Sequence, residues 1–308
     1  MGEGTTTHGG IALLDKPGGI TSHDAVARLR RALGTKKVGH AGTLDPMATG
    51  LLLLGVGPST RLLTHLVGLD KVYEATIRLG EATTSDDADG ERIAAADASG
   101  VTDAAIAAGI AALAGDISQR PSAVSAIKVD GVRAHQRVRE GETVELAARP
   151  VTIHAFDLLD SRRAGPRIDL DVRVHCSSGT YIRALARDLG EGLGVGGHLI
   201  RLRRTAIGPF SIDEAEPVPE WRARDEAGAP ARIHLRHPAE VAARLFATLS
   251  LDAAQAADLA NGKRLEVDAA DADIVAALDP DGRLVGLIAI ERGRTKVLTN
   301  FPVQDGVS

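Results

Sequence analysis

An aspartate in a glycine-rich loop is the first feature of the sequence that can do chemistry. The segment from Gly39 to Gly50 reads GHAGTLDPMATG, and Asp45 stands directly before Pro46. The proline keeps Asp45 out of α-helical geometry, and the glycines let the backbone bend tightly, so the carboxylate can be presented to a ligand. The same composition is typical of a turn in which an aspartate accepts a hydrogen bond from its own backbone. The loop alone leaves both interpretations open.

Three other familiar patterns do not fit their context. The glycines of residues 192–197 have the spacing of a dinucleotide-binding loop, but they follow a predicted helix where that loop must follow a strand. Residues 85–96 imitate a calcium-binding loop but have Ser85 at the first position and Ala96 at the last, where carboxylates are needed. Cys176 closes an apolar strand, which indicates a packed thiol and not a nucleophile.

Composition and charge describe the class of protein. The chain has 308 residues, 44% of them hydrophobic, which is enough for one large core and a smaller one. A single cysteine excludes an intrachain disulfide and a multi-cysteine zinc site, and no apolar run reaches membrane-spanning length, so we expect a cytoplasmic protein. The net charge of -5 is uninformative about nucleic acid, because a local basic face binds phosphate. The basic clusters are Arg28, Arg30, Arg31, Lys36 and Lys37, and then Arg201, Arg203 and Arg204.

The elements that must position Asp45 follow from the spacing of apolar residues. Leu51–Val56 predicts a buried strand directly after the loop, and the alternation of 71–79 places Tyr73 on an apolar strand face. Residues 168–175 alternate most clearly and predict a half-buried antiparallel strand. A helix that begins at Thr180 and ends at Gly190 follows it.

The two ends of the chain have their own patterns. Ser22 is expected to cap a helix that Gly34 ends. Residues 209–240 contain several prolines and many charges with little periodicity, which predicts a linker. A helix at 252–260 and two short strands around the turn at 279–282 predict a compact β-rich module after it.

The loop from Gly39 to Gly50 resembles the catalytic motif of the TruB pseudouridine synthases, and further segments agree with that family in the same order. These segments are Lys16–Ser22, Lys71–Gly80, Pro121–Lys128 and Cys176–Arg183, with Gly197–Leu199 and Leu202–Arg204 close behind. The resemblance spans about residues 11–210. The region beyond 240 resembles the family's C-terminal PUA-like module more weakly.

The resemblance implies a fold, an activity and a partner. We expect an α+β catalytic domain on a mixed, largely antiparallel sheet, with a small β-rich PUA-like RNA-binding module. The expected boundaries are a disordered lead at 1–10, the catalytic domain at 11–235 and the module at 240–305. The implied reaction is isomerisation of uridine to pseudouridine at position 55 in the TΨC loop of tRNA. No metal or organic cofactor is implied, and we expect a monomer that binds tRNA and no membrane.

Three residues carry the implied chemistry. By resemblance, Asp45 is the nucleophile, Arg183 pairs with it, and Tyr73 stacks on the isomerising base or deprotonates it. Breaking a C–N glycosidic bond and forming a C–C bond needs an ionised carboxylate, which an adjacent guanidinium favours. An aromatic ring can cover uracil while its hydroxyl moves a proton. The alternative for Tyr73 is plain core packing.

Further substrate contacts are implied in the same way, and they are His40, Tyr181, Leu202, Lys16 and Lys128. His40 is expected to occupy the space left by the flipped base, and Tyr181 with Leu202 to line its pocket. Lys16 and Lys128 are expected at the RNA or at the pocket edge, although Lys128 also fits a solvated loop lysine. His135 stands where the family commonly has an aromatic residue, which changes one wall of the pocket.

Other functions fit parts of the same pattern. An RNA-guided synthase of a ribonucleoprotein uses a similar catalytic domain, and the short C-terminal module argues against it. A tRNA-folding chaperone with secondary catalysis would need the same RNA surface. A carboxylate hydrolase would need a second positioned carboxylate near Asp45, and we expect none there.

Overall fold

The computed structural model describes residues 9–123, 128–129, 132–133, 146–220 and 233–301. The helices are α1 Ser22–Leu33, α2 Leu63–Val67, α3 Asp103–Ala112, α4 Ile182–Gly192, α5 Pro238–Ala243 and α6 Ala253–Ala260. The strands are β1 Gly10–Lys16, β2 Val38–His40, β3 Thr49–Val56, β4 Lys71–Leu79, β5 Glu81–Thr83, β6 Arg92–Ala95, β7 Gly115–Gln119, β8 Lys128–Val129, β9 Val132–Arg133, β10 Arg149–Ala164, β11 Arg167–Cys176, β12 Gly197–Ile207, β13 Phe210–Ser211, β14 Glu216–Pro217, β15 Ala247–Ser250, β16 Ala272–Leu278, β17 Leu284–Glu291 and β18 Arg294–Asn300. Among the residues described, no helix is long and apolar enough to cross a bilayer.

The chain divides into two compact units. The first contains Met1–Leu44, Leu51–Val67 and Pro209–Ser308, and the second contains Asp45–Gly50 and Gly68–Gly208. The boundaries expected from the sequence stay a prediction.

The second unit is built on a mixed sheet. Its strand order is β3, β12, β4, β11, β10 and β7, with β3 taking part through Thr49 and Gly50. The pairing of β3 with β12 is parallel, and the other pairings along this path are antiparallel. The predicted α+β class with a largely antiparallel mixed sheet is therefore confirmed.

The two central strands of this sheet, β4 and β11, are pleated as the alternating sequence predicts. The residues of β4 from Tyr73 to Leu79 that share one face are buried, and they lie opposite the buried residues of β11 from Ile168 to Val174. Helix α4 packs on β12. It begins at Ile182 with Tyr181 as its N-cap, two residues later than the sequence suggests.

The first unit places a helix against a second group of strands. Apolar residues of α1 pack on β1, β2 and β3 in one core, which includes Ala25, Val26 and Leu29 of the helix. Thr21, and not Ser22, caps α1 by accepting a hydrogen bond from the Asp24 N–H, and Asp24 accepts one from the Thr21 N–H in return. Gly34 ends the helix in the left-handed conformation, as expected.

The proline-rich segment predicted to be a linker is largely folded where it is described. β14 pairs in parallel with β1 through Glu216. Arg236 pairs with Ile11 across an isolated bridge, and Glu214 accepts hydrogen bonds from both Arg236 and Arg244. The linker interpretation was wrong for these residues, because backbone pairing and ion pairs hold a segment that has no apolar periodicity.

A second, smaller sheet lies near the end of the chain, with the order β15, β16, β17 and β18. It has four strands where two were expected, and β15 runs parallel to β16. Helix α6 contributes Leu259 to the apolar core of this sheet. The small β-rich C-terminal sheet was thus predicted correctly in kind. β17 and β18 are joined by Arg292 and Gly293, which both have positive φ.

Candidate active site

The carboxylate of Asp45 is held by the guanidinium of Arg183. Arg183 Nε lies 2.9 Å from Asp45 Oδ2, and a terminal nitrogen of Arg183 donates to Asp45 Oδ1 at 3.1 Å. The Arg183 side chain is 4% exposed and the Asp45 side chain 33%. A two-pronged pair of this kind fixes the carboxylate in orientation, while one side stays accessible to a ligand.

Two backbone features set the position of the Asp45 loop. Gly50 has a φ of 107°, and a Cβ added there would lie 2.2 Å from the backbone oxygen of Arg204. Only glycine fits so close to β12 in this conformation. Before the loop, the buried Ser22 hydroxyl accepts a hydrogen bond from the Leu44 N–H at 2.9 Å and donates to the Leu44 carbonyl at 3.1 Å. Ser22 therefore holds the residue before Asp45, a role that the cap interpretation missed.

Arg183 also binds a second carboxylate, that of Asp87. The distance from Arg183 to Asp87 Oδ2 is 3.3 Å, and the same nitrogen donates to the Ser85 carbonyl at 2.8 Å. Asp87 is buried, and it accepts hydrogen bonds from the Ser85 hydroxyl and the Asp89 N–H. The guanidinium is thus fixed from behind by the 85–89 turn.

The sequence does not identify Asp87 as a functional residue. Its segment lacks the ligands of a calcium loop, and the run of acidic residues at 86–89 is the available signal. The expectation that no second carboxylate stands near Asp45 was also wrong, since Arg183 joins the two. Because Asp87 is 6% exposed and its oxygens are occupied by Arg183, Ser85 and Asp89, it is not placed to activate a water for hydrolysis.

The residue before Asp87, Asp86, anchors the same turn on its other side. Its carboxylate accepts a hydrogen bond from the Ser122 hydroxyl at 2.7 Å and lies 3.3 Å from Arg187. Burial raises the pKa of Asp86, and Ser122 and Arg187 act in the opposite direction. Asp86 has a positive φ of 60°, so the backbone strain of the turn is held by these contacts.

Tyr73 lies on the buried face of β4, and Arg204 of β12 is its hydrogen-bond donor. Burial raises the pKa of the Tyr73 hydroxyl, the Arg204 guanidinium lowers it, and the charge of Asp45 raises it, which places all three groups in one electrostatic neighbourhood. Arg204 is 1% exposed. The sequence assigned Arg204 to a surface basic cluster, and this was wrong, because the alternation of β12 turns it inward beside Leu202.

Lys71 and Cys176 face each other on the same buried side of the sheet. Burial and the nearby Arg204 lower the pKa of Lys71 to about 8, and its ammonium group donates to the Leu69 carbonyl and to the Ser178 hydroxyl at 3.0 Å. Burial raises the pKa of the Cys176 thiol to about 11. A thiol with a raised pKa is a poor nucleophile, which agrees with the packed thiol inferred from the sequence.

Tyr181 and Leu202 lie in the same unit as Asp45. Gln119 accepts from the Tyr181 N–H at 2.8 Å and donates to its carbonyl at 3.0 Å, which fixes the backbone at the start of α4. Leu202 is buried opposite Ala75 of β4, while its neighbours Arg201 and Arg203 point to the other face. The structure therefore brings Asp45, Arg183 and Tyr73 together, and Leu202 shares the buried sheet face with Tyr73.

Lys16 and His40 are residues of the first unit. Lys16 is fully buried, and its ammonium group donates to the carbonyls of Pro17 at 2.9 Å and Ile20 at 2.8 Å. Its expected contact with RNA stays a prediction. His40 is half-buried at the end of β2 and meets the His23 ring edge-on at 5.4 Å. The side chain of Lys128 and the whole of His135 lie outside the described residues, as do residues 1–8 of the expected lead.

Three regions of the chain match known protein families. Residues 30–182 match "TruB family pseudouridylate synthase (N terminal domain)". Residues 183–221 match "tRNA pseudouridylate synthase B C-terminal domain", and residues 246–302 match "tRNA Pseudouridine synthase II, C terminal".

Individual relatives are similar over nearly their whole length. The chain is 55% identical over 302 residues to tRNA pseudouridine synthase B of Leifsonia xyli, which covers 96% of this chain and 97% of the relative. It is 50% identical over 308 residues to tRNA pseudouridine synthase B of Streptomyces coelicolor, and the match covers 98% of this chain and 100% of the relative.

Solved structures share the fold. A structure described as "H/ACA RNP bound to a substrate RNA containing 2'-deoxyuridine" has a TM-score of 0.69 at 24% identity and covers 96% of this chain and 86% of that one. A chain of a Cbf5-Nop10-Gar1 complex has a TM-score of 0.68 at 25% identity, and the match covers 95% of this chain and 85% of that one. These likenesses agree with the α+β architecture described above.

Proposed function

Because the chain belongs to the TruB family of pseudouridine synthases, we propose that it isomerises uridine to pseudouridine at position 55 in the TΨC loop of tRNA. The observation that carries the proposal is the Asp45 carboxylate, which Arg183 holds by two contacts while a third of the side chain stays accessible. The relatives at 50–55% identity bear the name tRNA pseudouridine synthase B, which supports tRNA as the substrate.

The reaction detaches uracil from its sugar and joins it again through a different atom. The N1–C1′ bond breaks, a C5–C1′ bond forms, and the proton on C5 moves to N1, so the product has the atoms of the substrate. Asp45 acts as the nucleophile that holds the intermediate, which requires an ionised carboxylate. Arg183 orients the oxygens of this carboxylate, and Asp87 keeps Arg183 in place.

Tyr73 supports the base and handles its proton. Its ring forms an apolar surface against which a uracil can stack. Its hydroxyl has a raised pKa and is neutral at neutral pH, and the Arg204 guanidinium stabilises the phenolate when the proton is lost. The neutral hydroxyl can give its own proton to N1 and then, as a phenolate that Arg204 stabilises, accept the proton from C5, so the net transfer from C5 to N1 balances.

A uridine inside a folded tRNA loop reaches Asp45 only after leaving its stack. His40 is proposed to fill the vacated space, with Leu202 as an apolar floor and Tyr181 as a wall of the pocket. Unstacking is compensated by contacts to the base edge and the neighbouring phosphates. Four exposed cations at the end of α1 and directly after it are suited to phosphate, and they are Arg30, Arg31, Lys36 and Lys37.

The small C-terminal sheet contributes a basic cavity of about 500 Å³. It is lined by Arg264, Arg292, Arg294 and Lys296, together with Glu291 and Thr295. A concave surface rich in arginine and lysine favours a nucleic-acid backbone. We propose that it binds the tRNA backbone.

The decisive experiment uses purified protein and unmodified tRNA transcript, without a guide RNA, and maps pseudouridine by position. Wild type is expected to modify uridine 55. Asp45→Asn is expected to form no product while binding tRNA within a few-fold of wild type, because this carboxylate acts in the chemistry and contributes little phosphate binding. Asp89→Asn, which changes an exposed carboxylate of the neighbouring turn, serves as the matched control and should remain active.

Three outcomes would contradict the proposal. Product formation by Asp45→Asn would remove Asp45 from its role, and product at another position would remove the TΨC loop. Activity that appears only with an added guide RNA would favour the ribonucleoprotein alternative. A parallel assay measures the refolding of misfolded tRNA. Refolding by both wild type and Asp45→Asn would show a chaperone activity that is separate from catalysis.

A further inference from the structure

Two histidines and an aspartate meet on the face of the sheet opposite Tyr73. His154 Nε2 lies 3.2 Å from Asp70 Oδ2, and His175 Nε2 lies 3.9 Å from the same oxygen. One donor atom from each residue lies within 4.8 Å of the other two. The two imidazole rings are 4.7 Å apart between centroids and tilted by 46°.

The three residues come from separate segments, and the sheet brings them together. His175 lies in β11, opposite Val72 of β4. The register of β10 with β11 shifts between Ile153 and Ala155, so His154 is the extra residue of a β-bulge and turns toward His175. Bulges commonly re-aim a side chain next to a functional site. Asp70 stands directly before β4, where its carbonyl accepts the Gly208 N–H at 2.8 Å.

The group is accessible and separate from the catalytic residues. The side chains of His154, His175 and Asp70 are 36%, 44% and 46% exposed. Neighbouring residues along a strand point to opposite faces, so Lys71 and Tyr73 lie on the buried side while Val72 and His175 share the other. The Lys71 ammonium group donates to the Leu69 carbonyl and to the Ser178 hydroxyl.

The chemistry of the three donors points to a cation. A single ion pair needs one imidazole, whereas here two imidazole nitrogens converge on one carboxylate oxygen. An anion is disfavoured by Asp70. Two histidines with one carboxylate are a ligand set that Zn²⁺ uses, in which a water completes the tetrahedron. Donors at about 2.1 Å from zinc are separated by roughly 3.4 Å, which small rotations of these side chains reach.

We propose that Asp70, His154 and His175 bind a divalent transition metal ion, with zinc as the best fit. The ion joins β10, β11 and the turn before β4, so it stabilises the sheet from the side opposite the catalytic residues. The isomerisation itself does not require it. The sequence did not indicate this site, because its three residues lie far apart along the chain and His154 is placed by a bulge.

The test titrates the metal-stripped full chain with ZnCl₂ by calorimetry, and with CoCl₂ by visible absorption. Wild type is expected to bind one ion per chain and to show the absorption of Co²⁺ with nitrogen ligands. His175→Asn and Asp70→Asn are each expected to weaken binding by at least about tenfold, since even the outer-shell partners of metal ligands contribute 10- to 100-fold. His234→Asn, at an exposed histidine elsewhere, should bind as wild type does.

Two further readouts keep the result interpretable. Zinc should raise the melting temperature of wild type and of His234→Asn but not of His175→Asn. Circular dichroism and pseudouridine formation without metal should match wild type in every variant, since these residues are outside the catalytic group. The proposal is overturned when wild type binds no zinc, or when His175→Asn and Asp70→Asn bind it as tightly as wild type does.

Discussion

At the scale of single residues, the fork of Arg183 decides how Asp45 is presented. A lysine keeps the charge but offers no planar pair of donors, so it cannot hold Asp45 and Asp87 together. Arg183→Lys is therefore expected to lower kcat/KM by about 10- to 100-fold, since a charge-assisted hydrogen bond contributes roughly 1.5–3 kcal/mol. Single-turnover assays on tRNA transcript measure this.

The chain offers a matched control for this substitution. Arg78 makes the same two-pronged contact with Asp169, at 2.8 Å for each prong, on the opposite side of the sheet. Arg78→Lys should leave kcat/KM close to that of wild type. Wild-type kinetics for Arg183→Lys would refute the role given to the ion pair.

A second residue-scale prediction concerns Lys71, whose pKa is lowered from 10.5 to about 8 by burial. Between these values the unfolded chain keeps the proton that the folded chain has lost, so the free energy of unfolding rises with pH in this window. Above pH 9 the titration of Cys176 lowers the free energy of unfolding, because its raised pKa makes the folded chain keep a proton that the unfolded chain loses. We therefore expect the rise to be clearest between about pH 8 and pH 9.

Urea unfolding at several pH values checks this prediction. The comparison is with Lys71→Met, which lacks the ammonium group and keeps Cys176. The stability of wild type relative to Lys71→Met should increase as pH rises through 8. A difference that is constant with pH would mean that Lys71 keeps its ordinary pKa in the folded protein.

The residues of the site differ in how well the sequence reveals them. Asp45, Arg183 and Tyr73 belong to local motifs, and the family inferred from these motifs is confirmed by the 55% identity to a named relative. Their roles stay predictions. Asp87 was missed and Arg204 was assigned to the surface, because burial of a charged residue depends on partners far along the chain. Ser22 was misassigned because two adjacent hydroxyls can both cap a helix, and only the position of Leu44 decides between them.

At the scale of elements, the turn between β17 and β18 shows a conflict between local geometry and sequence. Arg292 has a positive φ of 52° at the first position of a two-residue hairpin, where asparagine or glycine is preferred. Left-handed geometry costs most residues about 1–2 kcal/mol, and asparagine less. Arg292→Asn is thus expected to raise the free energy of unfolding by up to about 1 kcal/mol.

The same substitution should weaken tRNA binding, because Arg292 lines the basic cavity. Arg264→Asn removes a cation from that cavity without changing this turn, so it should lose affinity and gain no stability. Chemical unfolding and filter binding on both variants separate the two effects. Unchanged tRNA affinity in Arg292→Asn would mean that the strained arginine serves no RNA contact.

The elements themselves were predictable where periodicity is strong. Strand β4 was predicted at 71–79 and is found at Lys71–Leu79, because alternation over nine residues leaves little freedom. Strands β15 and β18 were missed, since Ala247–Ser250 and Arg294–Asn300 carry mostly exposed or half-exposed side chains and are held by backbone pairing. The prolines at 209–240 favoured a linker, and ion pairs to Glu214 overrode that preference.

At the scale of the whole molecule, a net charge of -5 must be reconciled with a polyanionic substrate. Affinity has to come from local cations, so it should depend strongly on salt. Replacing both Arg264 and Lys296 by glutamine should lower tRNA affinity and reduce the slope of log Kd against log salt by roughly 0.7–0.9 for each phosphate that is no longer neutralised. The rate constant at saturating tRNA should not change.

Arg283 provides the control, because it is exposed at the β16–β17 turn of the same sheet, outside the cavity. Arg283→Gln removes a surface cation with little expected change in affinity or slope. Equal effects of the cavity and control substitutions would mean that general charge, and not the cavity, governs binding. A lower saturating rate in the cavity variant would indicate that this surface also aligns the modified uridine.

The glycine at position 50 has a consequence for how this protein can vary. At Gly50, just after the Asp45 loop, the backbone of β3 packs directly against the backbone of β12 at Arg204. Nothing but hydrogen fits between them, so this end of the Asp45 loop is held by main-chain atoms, whereas the side chains of Ser22 and Arg183 hold the other end and the carboxylate. Even a single methyl group at this one point would therefore displace the loop and the reactive oxygen that it carries.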